Sequence, residues 1–275
     1  MPKGLSCGDH HLFLEKVARF RESGATRLHI VLDFDRTLTV SRPGAQEDVT
    51  TWHIVGSHLS QNGRLRYQEL FEKYRILELE GRLTERDAVD WWSASFQLYV
   101  DERININQVD ADFLARASMR PGTAALFALC QERKIPSVIM SAGIRDVIKI
   151  WARKYGINPS LVVSTALRLA GDGTILGWDE RTLIHVLNKH EAGHEDLTAI
   201  RAARSNVIVV GDGMADADMA AGDANVLRVR VFDPRPDEVA DISAVRQKTF
   251  ARFDVLLESG TFDPLFKVLE FVTTP

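Results

Sequence analysis

Short runs of apolar, mostly β-branched residues recur along the chain and predict buried strands. They are LHIVLDF from Leu28, PSVIMSA from Pro136, SLVVST from Ser160 and NVIVVGD from Asn206. An almost continuous apolar run is typical of a strand that is buried on both faces, as in the middle of a parallel sheet. Helical patterns lie between the runs, including TAALFALCQERK and RDVIKIWARKYG, and the second ends at Gly156, a residue suited to a helix cap. This alternation predicts an α/β fold with a doubly wound, mainly parallel sheet.

Two further patterns lie outside these runs. Apolar positions from Leu12 to Phe20 predict a short amphipathic helix that ends near Gly24. The segment ALRLAGDGTILGW alternates apolar and polar residues around the Gly-Asp-Gly sequence at residues 171–173. This segment predicts a β-hairpin.

The first predicted strand is separated from the second by about a hundred residues, which is far longer than an ordinary crossover connection. SRPGAQED, at the start of this interval, is typical of a connecting loop. YQELFEKYRILELEG and ERDAVDWWSASFQLYV, further on, have apolar positions three to four apart, as in helices. We therefore expect a helical cap at residues 41–117, inserted into an α/β core made of residues 1–40 and 118–275.

Composition limits the classes of partner. The 275 residues carry a net charge of −4, which argues against a surface for a nucleic-acid polymer. The two cysteines, Cys7 and Cys130, have no paired spacing and indicate neither a disulfide framework nor a thiolate zinc site. Apolar runs stay well short of the ~18 residues that a membrane helix needs, and charge interrupts the amino terminus before a secretory segment develops. We expect a cytoplasmic protein that does not bind membranes.

Two acidic residues directly follow the first predicted strand. Asp33 and Asp35 lie in DFDRTLT, at the carboxyl end of the strand, where open α/β sheets bind ligands. Two carboxylates this close repel each other unless a cation lies between them, and Mg²⁺ prefers such oxygen ligands. An isolated DxDxT pattern is equally compatible with a turn capped by Asp35 and a solvated Asp33. Other segments decide between the two interpretations.

Polar groups follow two later segments. Ser141, Ala142 and Gly143 lie between a predicted strand and the helix that starts near Arg145. A hydroxyl and free N–H groups in that place form an anion site, although a simple helix cap is also compatible. Lys189 follows the predicted hairpin, where an ammonium group would neutralise phosphate charge and keep a nucleophile ionised. A lysine within IHVLNKHEAG is by itself typical of a polar surface.

A second pair of acids follows the last of the four strands. Asp212 and Asp216 lie in GDGMAD, directly after the run NVIVV. They would complete a cation site that Asp33 begins. A strand-to-helix turn with an Asp cap is also compatible with this sequence, but it leaves two acids unexplained.

The order of these motifs resembles the haloacid-dehalogenase-like (HAD-like) superfamily over residues 28–232: strand and DxDxT, strand and Ser, Lys, then strand and GDxxxD. The resemblance implies a HAD-like Rossmannoid core that uses Mg²⁺. It also implies a role for each residue: Asp33 as nucleophile, Asp35 as acid and base, Ser141 and Lys189 with Ala142 and Gly143 as phosphate contacts, and Asp33, Asp35, Asp212 and Asp216 at the metal.

A closer likeness lies in DFDRTLT, MSAGIRDVI, LIHVLNKHEAG and GDGMADADMA, and in the segments EKYRILELE and DWWSAS. These resemble the cytosolic pyrimidine 5'-nucleotidase family, which removes phosphate from nucleoside monophosphates and includes 7-methylguanosine-monophosphate-specific enzymes. The resemblance implies that Glu78 contacts the base, Trp92 stacks on it and Ser95 helps to bind the substrate. Of the adjacent tryptophans, we expect Trp91 in the core and Trp92 free for stacking.

The chain departs from the family's pattern at several positions that bear on the substrate. A cysteine- and histidine-containing stretch of the family is replaced by VTTWHIVG, which contains Trp52. Gly213 replaces a frequent serine, Trp92 the usual tyrosine and Phe96 a histidine. Because a larger, more electron-rich ring at Trp92 suits a cationic methylated guanine, the choice of base stays open.

The sequence therefore favours Mg²⁺-dependent hydrolysis of nucleoside 5'-monophosphates through a phosphoaspartate on Asp33. Two alternatives use the same core: a phosphatase for another small metabolite, such as phosphoserine or a sugar phosphate, and a phosphotransferase that passes the phosphoryl group to a nucleoside. A protein that only binds nucleotides would not need Asp35 beside Asp33. The oligomeric state is left open.

Overall fold

The computed structural model describes residues 2–41, 49–190, 194–223, 225–232 and 242–274. The predicted connecting loop SRPGAQED lies outside the described residues except for Ser41. None of the helices in the described ranges is long and apolar enough to cross a lipid bilayer.

The strands of the described ranges form one large sheet and two short ribbons. In chain order they are β1 (Leu5–Cys7), β2 (Leu28–Leu32), β3 (Thr39–Ser41), β4 (Ala117–Met119), β5 (Ser137–Ile144), β6 (Leu161–Thr165), β7 (Leu167–Leu169), β8 (Ile175–Trp178), β9 (Asn206–Gly211), β10 (Asn225–Val231) and β11 (Val255–Leu257). The large sheet has the order β1-β11-β10-β9-β2-β5-β6. Its neighbours are parallel except for β1, which is antiparallel to β11. The predicted mainly parallel sheet is confirmed, and the four predicted strands are the contiguous set β9-β2-β5-β6.

Strand β2 lies inside the sheet because its side chains are apolar on both faces. All five of its residues are buried. Ile30 and Leu32 pack into the larger core on one face, whereas Val31 packs on the other face with Val138 and Val209. Burial on both faces places the end of β2 within the protein rather than at an open edge.

Helices cover both faces of the sheet. In chain order they are α1 (His10–Ser23), α2 (Thr51–Ser57), α3 (Gln61–Leu79), α4 (Glu85–Asp101), α5 (Ile106–Arg116), α6 (Thr123–Glu132), α7 (Arg145–Lys154), α8 (Glu195–Ala203), α9 (Ile242–Phe250) and α10 (Asp263–Thr273). Asp9 caps α1 by accepting the N–H of Leu12, and Gly24, with φ 64°, ends it. Gly156, with φ 65°, follows the end of α7. The predicted first helix and both glycine stops are confirmed.

Helices α2 to α5, which we call the cap helices, lie between β3 and β4. These two strands pair antiparallel, and Ser41 lies opposite Ala117. Helices α3 and α4 pack side by side, and Trp91 of α4 stacks on Tyr74 of α3 with ring centroids 5.8 Å apart. Thr84 and Asp87 form a capping box at the start of α4, which fixes where the helix begins.

The predicted hairpin is confirmed as β7 and β8, which pair antiparallel. Its turn contacts the start of α5, because the side chains of Asn105 and Asn107 both donate to the carbonyl of Asp172, at 2.8 and 3.1 Å. Phe96 of α4 stacks on Trp178 at the end of β8, with ring centroids 5.5 Å apart. The hairpin therefore supports the cap helices from the side of the sheet.

Asp110 is a buried acid on the face of α5 that meets α7. It is 7% exposed, and its Oδ1 atom has no hydrogen-bond partner among the described residues. Burial, together with repulsion from Asp146, raises the pKa of Asp110 to about 7, although Arg153 favours the ionised form. The folded protein thus holds this proton more tightly than the unfolded chain does.

We expect Asp110→Asn to stabilise the protein at alkaline pH. Because burial raises the pKa of Asp110 from 3.8 to about 7, the wild-type free energy of unfolding falls as pH rises through that interval. The amide cannot ionise, so the stability gain of the variant over wild type should be about 1–3 kcal/mol larger at about pH 8 than at about pH 5, measured by urea unfolding. Asp112→Asn, on the same helix but paired with Arg116, is the control and should show no gain. An equal pH dependence in wild type and Asp110→Asn would contradict the assignment.

Candidate active site

The predicted site residues meet at one edge of the sheet. Asp33 follows β2, Asp212 follows β9, and Ser141 lies in β5, where the pairing with β6 becomes irregular between Met140 and Ile144. These strands are parallel neighbours in the order β9-β2-β5. Their carboxyl ends therefore bring together residues that are far apart in sequence.

Lys189 links two of the acids. It is 6% exposed, and its Nζ donates to Oδ1 of Asp33 and, at 2.7 Å, to Oδ1 of Asp216. Burial acts to lower the pKa of Lys189, but the attraction of Asp216 and Asp33 outweighs it and raises the pKa above its usual range. Lys189 is therefore a buried, charged ammonium group and not part of a polar surface.

Asp33, Asp212 and Asp216 form a carboxylate cluster, with one oxygen of each within 4.8 Å of the others. Burial raises the pKa of Asp33 to about 6 against the attraction of Lys189. Burial and repulsion from the other two acids raise the pKa of Asp212 to about 8. A buried set of like charges made of oxygen donors has the chemistry that a hard divalent cation requires.

The backbone around β9 positions Asp216. Its Oδ2 accepts the N–H of Gly213 at 2.8 Å, which turns the carboxylate back toward the strand end. A Cβ atom at Gly211 would lie 2.2 Å from the same oxygen, so the absence of a side chain there allows the close approach. The carbonyl of Asp212 is fixed in turn by Arg230, whose Nε donates to it at 3.0 Å.

Asp35 is oriented differently from the carboxylate cluster. Its Oδ1 accepts the backbone N–H of Thr51 at 2.9 Å, and its Oδ2 accepts the Thr51 hydroxyl at 2.7 Å. Burial raises the pKa of Asp35 to about 7, although the hydrogen bonds from Thr51 act in the opposite direction. Its side chain is thus directed to α2, and the structure does not bring it into the group formed by Asp33, Asp212 and Asp216.

The segment of Ser141, Ala142 and Gly143 lies beside Asp35. The Ser141 hydroxyl accepts the N–H of Gly143 at 3.0 Å. A Cβ atom at Gly143 would lie 2.4 Å from Oγ1 of Thr51 and 3.0 Å from Oδ2 of Asp35, so glycine allows the cap helices to approach this segment.

Two tryptophans of the cap helices bind the same carbonyl of this segment. Nε1 of Trp52 and Nε1 of Trp92 both donate to the carbonyl of Ala142, at 2.8 and 3.1 Å. The expectation that Trp92 is free for stacking is wrong, since it is 6% exposed and Trp91 is 8% exposed. The reason is tertiary packing: the ring of Trp92 packs edge-on against Trp91 and Trp52, and its N–H donates to the carbonyl of Ala142.

The other cap residues predicted to bind substrate have partners within the protein. Ser95 is buried and donates its hydroxyl to the carbonyl of Trp91, one turn earlier on α4. Glu78 forms an ion pair with Arg75, one turn earlier on α3. Their roles in recognising a base stay predictions.

Sequence reasoning missed residues that orient the loop after β2. Arg36 has φ 63°, in the left-handed region, and its Nε lies 3.7 Å from Oδ2 of Asp212. The buried side chain of Arg120 donates to the carbonyls of Arg36 and Thr37, and its backbone N–H donates to the carbonyl of Leu38. Because Arg120 comes after the cap helices in sequence, local pattern gave no signal for it. Thr51 was missed likewise, although it lies in VTTWHIVG.

Known proteins resemble this chain over most of its length. The sequence profile of the pyrimidine 5'-nucleotidase family (UMPH-1) matches residues 36–272. The 7-methylguanosine phosphate-specific 5'-nucleotidase A of Xenopus laevis is 29% identical over 273 residues, which cover 94% of this chain and 92% of the relative. The human 7-methylguanosine phosphate-specific 5'-nucleotidase is 26% identical and covers 94% and 89% of the two chains.

Solved structures share the fold. Cytosolic 5'-nucleotidase IIIB bound to cytidine superposes with a TM-score of 0.80 at 24% identity and covers 99% of this chain and 94% of its own. A substrate-bound phosphoserine phosphatase superposes with a TM-score of 0.58 at 16% identity, over 88% and 97% of the two chains. The matched range 36–272 includes Ser141, Lys189, Asp212 and Asp216, and begins one residue after Asp35. The chain therefore belongs to the pyrimidine 5'-nucleotidase family, whose members are phosphoric monoester hydrolases of the HAD fold.

Proposed function

We propose that the protein hydrolyses nucleoside 5'-monophosphates, with Asp33 as the nucleophile. The observation that carries the proposal is the ion pair of buried Lys189 with Asp33 and Asp216, which holds the Asp33 carboxylate at the end of β2 beside a second acid, Asp35. A carboxylate that is buried yet paired with an ammonium group can stay ionised and attack phosphorus.

In the proposed first step, an oxygen of Asp33 forms a bond to phosphorus and the bond from phosphorus to the ribose oxygen breaks. Asp35 donates its proton to that oxygen as it leaves, and its pKa of about 7 suits such a proton transfer. In the second step, Asp35 takes a proton from water, whose oxygen attacks the phosphorus of the phosphoaspartate. The bond to Asp33 then breaks and phosphate is released.

The proposed phosphate contacts are Lys189, the hydroxyl of Ser141 and the segment of Ala142 and Gly143. Lys189 supplies positive charge in a buried place, where electrostatic stabilisation is strongest. Ser141 lies next to Asp35 across Gly143, so a phosphoryl group bound there would be within reach of Asp35.

Mg²⁺ fits the carboxylate cluster, because Asp33, Asp212 and Asp216 offer oxygen donors. Burial raises the pKa values of Asp33 and Asp212, and a bound divalent cation would favour their ionised forms. Asp35, the fourth metal ligand expected from sequence, binds Thr51 through both side-chain oxygens. Bound Mg²⁺ would neutralise negative charge on the group being transferred.

Names of relatives support two classes of base. The matching family is named for pyrimidine nucleotides, and curated relatives are named for 7-methylguanosine phosphate. We propose a pyrimidine or 7-methylguanosine nucleotide as substrate, with residues 41–117 as a cap domain that contacts the base through Glu78 and Ser95. A Caenorhabditis elegans relative is named a putative cytosolic 5'-nucleotidase, which supports a cytoplasmic location.

The proposal is tested with CMP, UMP, 7-methyl-GMP and phosphoserine, each with Mg²⁺ and with EDTA. We expect Mg²⁺-dependent release of phosphate from at least one nucleotide and none above background from Asp33→Asn, because the amide is not nucleophilic. Equal, slow release from every substrate would argue against a nucleotidase. New nucleotide formed on addition of free nucleosides would indicate phosphotransfer.

The metal assignment has a matched pair of variants in the turn after β9. Asp216 belongs to the carboxylate cluster, whereas Asp218 is half exposed and pairs with Arg252. Asp216→Asn should raise the Mg²⁺ concentration needed for half-maximal activity by about 10-fold or more, while Asp218→Asn should leave it unchanged. Equal Mg²⁺ titrations of the two variants would contradict the assignment.

The close approach at Gly143 gives a second test. Gly143→Ala would place a Cβ atom 2.4 Å from Oγ1 of Thr51, so the methyl group must displace α2 from Asp35. We expect kcat to fall by about 10-fold or more, since displacements of ~1 Å at a reacting group have effects of this size. Gly171→Ala, in the hairpin turn, meets nothing within 4 Å and should keep wild-type activity. Wild-type kcat in Gly143→Ala would contradict the close approach.

A further inference from the structure

The carboxylate of Asp35 is held by a residue from outside the α/β core. Thr51 is the first residue of α2, and it is fully buried. Its backbone N–H binds one oxygen of Asp35 and its hydroxyl binds the other, at 2.9 and 2.7 Å. Since two donors from one residue engage both oxygens, the plane and the rotation of the carboxyl group are fixed together.

Thr51 itself is fixed from three directions. Thr50 caps the helix by accepting the N–H of His53 at 3.1 Å, which defines where α2 begins. Trp52 binds the carbonyl of Ala142 at 2.8 Å. The hydroxyl of Thr51 lies against Gly143, where a Cβ atom would come within 2.4 Å. The first turn of α2 is thus bound to the segment of Ala142 and Gly143 while its Thr51 holds Asp35.

We propose that Thr51 is a positioning residue for the acid–base group, orienting Asp35 toward the leaving oxygen of the substrate. The inference rests on the proposed function. Thr51 touches neither the nucleophile nor the phosphate contacts through a hydrogen bond in this structure, and acts through Asp35. Seating of α2 on the core thereby becomes a condition for proton transfer, because the acid receives its orientation from the cap helices.

The position of Asp35 affects the rate only to the extent that the leaving group needs a proton. When the bond from phosphorus to the ribose oxygen breaks, the leaving alkoxide is strongly basic and takes the proton of Asp35. p-Nitrophenolate, the leaving group of p-nitrophenyl phosphate, departs without a proton. A defect in the orientation of Asp35 therefore lowers turnover of a nucleotide and spares p-nitrophenyl phosphate, whereas general damage to the site lowers both.

The test compares kcat/KM for the best nucleotide and for p-nitrophenyl phosphate. This parameter reports phosphoryl transfer to Asp33 and not the later hydrolysis. Thr51→Val keeps the shape of the side chain and removes the hydroxyl. In this variant kcat/KM should fall about 10- to 100-fold for the nucleotide but stay within about 3-fold of wild type for p-nitrophenyl phosphate. Thr51→Ser restores the hydroxyl and should recover the nucleotide value to within about 3-fold of wild type.

Two further variants test whether the loss in Thr51→Val acts through Asp35. Asp9→Ala removes the cap of α1, which lies outside the cap helices, and should lower the thermal midpoint without changing the ratio between the substrates. Asp35→Asn should show a larger loss than Thr51→Val in the same substrate order, and adding Thr51→Val to Asp35→Asn should cost nothing more. If Thr51→Val does not fold, as judged by circular dichroism, Thr51→Ala is measured for the same ratio.

Equal losses on both substrates in the valine or alanine variant, or a full further loss in the Asp35→Asn background, would overturn the role of Thr51. In both cases an inactive Asp33→Asn leaves the proposed hydrolysis standing. If wild type turns over neither substrate, or Asp33→Asn remains active, the proposed function falls and the role of Thr51 falls with it.

Discussion

The buried ion pair of Lys189 with Asp33 and Asp216 is the interaction on which the site depends. Removing an ammonium group from water costs several kcal/mol, and this cost is offset only when geometry and partners are good. Lys189 has two carboxylate partners at the ends of two neighbouring strands, β2 and β9. The same contacts that offset its burial fix Asp33 at the strand end, so the stability of this edge and the placement of the proposed nucleophile cannot be separated.

A single ammonium group does not balance the acids around it. Asp33, Asp212 and Asp35 all have raised pKa values, and burial is the largest cause for each. The protein alone therefore holds these acids under electrostatic strain, which oxygen-binding cations relieve. Arg36 and Arg230 approach Asp212 at its side chain and its carbonyl, but from the loop and the neighbouring strand, and they leave the oxygens of the cluster facing one another.

Much of the fold and part of the site could be predicted from sequence. The central strands were visible because burial on both faces demands continuous apolar runs, as in β2 and β9. Strand β10 was missed because Arg228 and Arg230 interrupt its pattern, and their side chains bind carbonyls after β9. The predicted acids and Lys189 come together because the parallel strands end at one edge of the sheet. The order of the motifs along the chain indicates this topology.

What sequence could not give is the contact between elements far apart in the chain. Trp92 was expected to be free, yet whether an aromatic ring on α4 is free depends on Ala142, fifty positions away. The contact of Thr51 with Asp35 was likewise not predictable, because the sequence between the two residues has no helical or strand pattern. Periodicity identifies which face of a helix is apolar, but not which polar group of another element will meet it.

The described contacts between the cap helices and the core include several at the phosphate end of the proposed site. Trp52 and Trp92 both use the carbonyl of Ala142, and His185, from the segment before Lys189, packs against Trp92 with Nε2 3.2 Å from a carboxylate oxygen of Glu85 on α4. Each of these contacts lies within a few residues of a predicted phosphate contact, Ser141 or Lys189. The cap helices are thus bonded to the core at the phosphate end of the site. A substrate's phosphate and base would therefore be recognised by elements whose relative position these same bonds determine. In the proposed mechanism, selection of the base and proton transfer from Asp35 would both depend on how α2 and α4 pack on the core.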